Sequence, residues 1–112
     1  MVESVIDVSI LIPTFRRPDL LQAAIESLLV QKELAVGVEV VVIDNDPART
    51  AERVVAGLSP PAGLCLRYVS EPRPGISHAR NAGIAASRGA YVAFLDDHEA
   101  AVPFWLTKLL ST

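Results

Sequence analysis

"VSILIPTFRRPDLLQAAIESLLVQ", residues 8–31, is the stretch on which the reading of the fold turns. Its first six residues form a continuous apolar run closed by Pro13, the pattern of a β-strand buried on both faces. Thr14-Phe15-Arg16-Arg17 then breaks the run, and Pro18 suits the first turn of a helix. Leu20, Ala24 and Leu28 recur at four-residue spacing, as do Leu21, Ile25 and Leu29, so a helix with one apolar stripe is predicted over 18–31.

The same alternation continues to the end of the chain. "VEVVVI" (38–43) is a second buried-type strand, stopped by "DNDP", and Thr50 is placed to cap a short helix reaching Ala56. "GLSPPAG" breaks that helix before a third strand, "LCLRYV" (64–69). After the loop "SEPRPG" comes a helix rich in small residues (76–89), ending at Gly89 in an expected left-handed conformation. "AYVAFL" (90–95) is a fourth strand, and Pro103 opens an apolar helix, "PFWLTKLL". The order β-α-β-α-β-α-β-α predicts a mainly parallel sheet covered by helices through right-handed crossovers, a Rossmann-like three-layer α/β/α domain.

Composition narrows the function. At 112 residues the chain holds one domain, 1–112, with a hydrophobic core. A net charge of -3 offers no basic field for nucleic acid, so that class is set aside. Cys65 is the single cysteine, which excludes an internal disulfide and a cysteine-cluster metal site. The first residues, "MVESVIDVSIL", lack the basic and small-residue features of a signal peptide, and no apolar run has membrane-span length. A cytoplasmic, soluble domain is the expectation.

In an open α/β sheet, ligands bind outside the carboxyl ends of the strands. Those ends carry Pro13-Thr14-Phe15-Arg16, Asp44-Asn45-Asp46, Ser70-Glu71-Pro72-Arg73 and Asp96-Asp97-His98-Glu99, so polar residues are expected to gather on one rim. The last set is unusual, because adjacent carboxylates repel unless a cation, a hydrogen-bond network or water offsets them. In an extended stretch Asp96 and His98 point the same way and share a cation, with Mn²⁺ suited to the mixed oxygen and nitrogen set. These four residues by themselves fit a solvated acidic strand exit equally well.

The ordered motifs "VSILIPTFRRPDLLQAAIESLLVQ", "VEVVVIDNDP" and "GISHARNAGIAASRGAYVAFLDDHEAAVPFWL" resemble the nucleotide-binding half of the inverting family-2 glycosyltransferases with the GT-A fold. The resemblance covers nearly all of the chain. It implies a nucleotide-diphospho-sugar donor (a UDP-, GDP- or dTDP-sugar), a divalent metal (Mn²⁺ or Mg²⁺), and transfer to an acceptor hydroxyl. It places Pro13, Thr14 and Phe15 against base and ribose, and Asp44 and Asn45 as hydrogen-bonding partners of base or sugar. Arg80 of "ARN" would approach the nucleotide, Asp96 and Asp97 would belong to the nucleotide site, and Asp96 with His98 would form the metal motif. Two positions depart from the pattern: His98 replaces the motif's last aspartate, and Phe15 replaces a frequent tyrosine. The family's second half, with the acceptor pocket and the general base, is not matched within 1–112. The catalytic base is therefore expected beyond Thr112, and no catalytic residue is assigned within the chain. Truncation before that half is the expectation, with the chain alone inactive in transfer.

The alternative reading is a non-catalytic, degenerate GT-A module that serves interaction or homo-oligomerisation. For single residues, Arg73 reads as a solvated loop arginine, and Arg80 as either a phosphate contact or a helix-to-core ion pair. His78 reads as a surface residue, Cys65 as packing, and Trp105 as a core or interface anchor on the last helix.

Overall fold

The structure is a computed structural model and describes residues 6–30, 37–61 and 63–99. Four parallel strands form one sheet: β1 (Val8–Thr14), β2 (Val38–Asp44), β3 (Leu64–Ser70) and β4 (Tyr91–Phe94), in the spatial order β3-β2-β1-β4. Between them run α1 (Pro18–Leu29), α2 (Glu52–Ala56) and α3 (Ile76–Ala86). The helix expected from Pro103, with Trp105, lies outside the described residues, as does Thr112, the position past which the general base is expected.

Alternation along the strands sorts the core into two layers. Val8, Ile10 and Ile12 of β1 and Val38, Val40 and Val42 of β2 pack with Leu21, Ala24, Ile25 and Leu28 of α1, while Val54 and Val55 of α2 join the edge of the same cluster. Leu11, Val41 and Ile43 point the other way and meet Ala79, Ala82 and Ala86 of α3. One helix layer on each face accounts for the largely apolar central strands: β2 is buried at every position, Glu39 included. The stripe on α1 is 21/24/25/28, narrower than the two rows expected, because Leu20 remains exposed. Small side chains on α3 let it sit close to the sheet.

Three local expectations change. Thr50 does not cap α2; its hydroxyl donates to Asp46 Oδ2 at 2.9 Å, and the helix starts only at Glu52. α3 stops at Ala86, and Gly89 is not among the positive-φ residues. A glycine is needed at 89 for another reason: a Cβ there would lie 2.7 Å from the backbone nitrogen of Ser9 and 2.8 Å from the carbonyl carbon of Val8. The third change concerns residues 96–99. β4 ends at Phe94, and the N–H of Glu99 donates to the carbonyl of Asp96 at 3.0 Å, so this segment is a turn and not an extended strand exit.

Strand order decides where a ligand site belongs. The chain lays β1, β2 and β3 outward in one direction, then returns to place β4 on the other side of β1. The crossovers leaving β1 and reaching β4 thus diverge, and they open a crevice above the carboxyl ends of those two strands.

Candidate functional site

A cavity of about 370 Å³ occupies that crevice. Pro13, Thr14 and Phe15 wall it from the exit of β1, Asn45 from β2, and Phe94, Asp96, Asp97 and His98 from β4. The start of α3 contributes Ile76, Ala79 and Arg80. The volume and the mixed lining are those of a small-molecule site.

The acidic run is resolved by dividing the labour between its carboxylates. Asp97 is buried: the hydroxyl of Thr14 donates to its Oδ2 at 2.9 Å and Arg17 Nη1 to its Oδ1 at 3.3 Å. His98 Nδ1 stands 3.7 Å from the same Oδ1. Asp97 therefore ties the exit of β1 to that of β4. Asp96 is exposed at the cavity, and among the described residues its carboxylate makes no hydrogen bond or ion pair. The imidazole of His98 is 55% exposed and lines the same cavity. Thus the two side chains expected to act together do share the cavity, although the turn removes the extended geometry from which that was argued.

Two expected contacts are placed differently. Asp44 is fully buried and does not line the cavity. Its Oδ1 accepts the N–H of Asp46 at 3.1 Å, while its Oδ2 accepts the N–H of Ala51 at 3.0 Å and the hydroxyl of Tyr68 at 2.8 Å. Both oxygens hold the loop that leads into α2, and neither belongs to the cavity lining. Burial, with the hydrogen bond to Asp44 next, pushes the phenol of Tyr68 well above its ordinary pKa. Asn45 does border the cavity, but its amide is directed into the loop after β3.

Arginines at this rim divide likewise. Arg80 makes no ion pair among the described residues; its guanidinium lies 4.9 Å above the ring of Phe94, inside the cavity lining. Arg73 is a solvent-exposed loop arginine, as expected. It pairs with the buried carboxylate of Glu71 at 2.6 Å, and this hydrogen bonding holds Glu71 at a pKa of about 2. Arg16 bridges to Asp46 at 3.3 Å and stacks 4.8 Å from the ring of Phe15, steadying that half-exposed aromatic. Its φ of 54° is the left-handed turn that sends the chain from β1 toward α1.

Sequence reasoning missed Arg17, Ile76, Ala79 and Phe94 as lining residues. A signal existed for Ile76. It precedes Arg80 by four residues on the same helix, so Ile76 and Arg80 share a face, and Ile76 is an exposed isoleucine at the helix start. Cys65 and His78 remain outside the site, as expected.

A family model described as "Glycosyl transferase family 2" matches residues 9–112. Succinoglycan biosynthesis protein ExoM of Rhizobium meliloti (strain 1021) is 37% identical over 99 residues, covering 88% of this chain and 32% of that protein. Succinoglycan biosynthesis protein ExoO of the same organism is 34% identical over 109 residues, covering 97% and 30% respectively. The chain thus spans about a third of the length of these curated relatives. Among solved structures, S. aureus TarS 1-349 superposes with a TM-score of 0.81 at 20% identity, over 95% of this chain and 32% of that one. The complex of TarS 1-349 with UDP-GlcNAc gives 0.78 at 21% identity, over 95% and 30%. At such identities the likeness is one of fold.

Proposed function

This chain belongs to glycosyl transferase family 2, and from that premise we propose that its cavity binds the nucleotide-diphosphate part of a sugar donor, as the nucleotide-binding half of an inverting transferase. The supporting observation is the placement of the open acidic and imidazole groups. Asp96 and His98 line a cavity of about 370 Å³ at the point where the strand order reverses, together with the aromatic ring of Phe15. A UDP-sugar is the leading donor class, because the structurally similar TarS has been crystallised with UDP-GlcNAc and with UDP.

In this reading Pro13 and Phe15 offer a flat apolar face to the base, Thr14 and Asp97 hold the shape of the exit, and Arg80 faces the phosphates. Asp96 and His98 are the residues that would hold a divalent ion. The donor set fits such an ion in part: among the described residues no three His, Cys, Asp or Glu side chains converge. Two protein ligands, with diphosphate oxygens and water for the rest, is the usual composition of a metal site at phosphates. The imidazole favours Mn²⁺ over Mg²⁺. When bound, the ion would supply neutralisation of charge on the departing diphosphate.

Transfer also requires an acceptor wall and a general base, and we assign neither to a residue of this chain; the base is proposed to belong to sequence following Thr112. Accordingly the chain by itself is expected to bind donor without transferring sugar. Calorimetry with UDP, GDP and dTDP, each with Mn²⁺ and in metal-free buffer, tests the proposal. Metal-dependent binding of at least one is expected; silence from all three under every condition would remove the donor site. No helix among the described residues is long and apolar enough to cross a membrane.

A further inference from the structure

Both amide hydrogens of Asn45, and one acceptance by its Oδ1, are committed to one loop. Its Nδ2 donates to the carbonyl of Glu71 at 2.7 Å and to the carbonyl of Arg73 at 2.8 Å, and its Oδ1 accepts the N–H of Gly75 at 3.3 Å. The orientation of the amide is unambiguous, since the reverse would set its oxygen against two carbonyls. The loop needs this help. Pro72 and Pro74 have no N–H to give, and the N–H of Arg73 is taken by Glu71 Oε2 at 3.1 Å. Among the described residues, only the N–H of Glu71, donated to the carbonyl of Asp44 at 2.8 Å, ties the loop to the sheet by backbone alone.

What the loop carries is the part of the cavity lining that comes from α3. Gly75, at φ 119°, turns the chain from the loop into α3, and Ile76, Ala79 and Arg80 follow at once as lining residues. On the other side, the N–H of Asn45 is held by the carbonyl of Thr14 at 2.9 Å, next to Phe15. One residue thus connects the two: Asn45 holds the β1 exit through its backbone N–H and the start of α3 through its side-chain amide.

We infer that Asn45 is a positioning residue for the donor site: its amide sets the distance between the Phe15 wall and the Ile76–Arg80 wall, in place of a direct contact with base or sugar. This rests on the donor-binding reading above. A direct contact would discriminate between bases, whereas a positioning role affects every nucleoside diphosphate alike and acts through the loop. Removing the amide leaves the carbonyls of Glu71 and Arg73 without a donor, and a carboxylate in its place repels them.

The test uses Asn45→Ala and Asn45→Asp in the full 112-residue chain. Hydrogen exchange at the Gly75 amide and calorimetry with UDP, GDP and dTDP plus Mn²⁺ are the two readouts. The expected result is faster exchange at Gly75 in both variants, together with an affinity loss of about tenfold that is equal across whichever nucleotides bind. Unchanged Gly75 protection with weakened binding would overturn the inference in favour of direct contact, as would a loss confined to one base. Faster exchange with undiminished affinity would overturn it too. If the wild-type chain binds no nucleotide, the donor reading fails on its own account. Exchange at Gly75 then decides the clamp, and equal protection in wild type and variants refutes it.

Discussion

The two rims of the sheet handle buried charge in opposite ways. At the amino end, Glu39 is wholly buried in β2, and both of its carboxylate oxygens have donors within reach. Ser9 Oγ and the N–H of Arg88 donate to its Oε2, while Arg67 Nη1 at 2.9 Å and Arg88 Nε at 3.1 Å donate to its Oε1. Gly89 closes against Ser9 beside it, its N–H donating to the Ser9 hydroxyl at 2.9 Å. At the carboxyl end, Asp97 is satisfied in the same fashion, but its neighbour Asp96 is left open to a cavity beside His98. A carboxylate that serves the fold is surrounded by donors from its own chain; one that awaits a ligand is not. On the donor-site reading proposed above, the difference separates charge that serves the fold from charge kept for a ligand.

The comparison breaks most readily at Glu39. Glu39→Ala leaves two arginines without their carboxylate and is expected to cost about 3 kcal/mol in urea unfolding, discounted from the fully buried case because both arginines reach water. Nucleotide affinity per folded molecule should stay as it was. A loss under about 0.5 kcal/mol would show that the cluster is ornamental. Next in size is Gly89→Ala, expected to cost about 2 kcal/mol by the same measurement, because the new methyl group meets the Val8–Ser9 backbone, which cannot move without disturbing the sheet. Wild-type stability in that variant would mean that the segment 87–90 is freely adjustable.

Acid should act on the closed rim too. The hydrogen bonds of Ser9, Arg88 and Arg67 overcome the opposing effect of burial and hold Glu39 at a pKa of about 2, below its ordinary 4.5. A depressed pKa contributes stability that is complete above about 4.5 and drains away as pH falls toward 2. Denaturation midpoints measured across that window should therefore decline, and Glu39→Gln should flatten the decline. An identical slope in the variant would assign the acid sensitivity to other groups, such as Glu71. Smallest in stability is Asp96→Asn at the open rim, within about 0.5 kcal/mol of wild type, since its carboxylate has no partner among the described residues. A larger change would mean that Asp96 is part of the fold.

Much of this was legible in the residues themselves. Valine- and isoleucine-rich runs such as Val38–Ile43 announce strands covered on both faces, and four-residue spacing in α1 announces its helix, because burial imposes those patterns. The gathering of polar strand exits on one rim followed from topology. What the sequence withheld was decided by local hydrogen bonding. Nothing in "DNDP" says that Asp44 turns inward to Ala51 and Tyr68, or that Asn45 reaches 26 residues ahead to Glu71. Nor does "DDHE" disclose a turn, which forms once Asp97 is drawn to Thr14 and Arg17. Gly89 looked like a helix terminator, and only the proximity of Ser9 gives its real reason.

The central claim is that the open rim between β1 and β4 is the donor site and the closed rim is not. Nuclear magnetic resonance of the chain with UDP, titrated with substoichiometric Mn²⁺, tests it most directly, because the paramagnetic ion broadens nearby signals. The account predicts loss of signal at Asp96, His98 and Thr14, with Ser9, Glu39 and Gly89 still sharp, and no such pattern in Asp96→Asn. Broadening that centres on the Glu39 rim, or that persists unchanged in the variant, would contradict it.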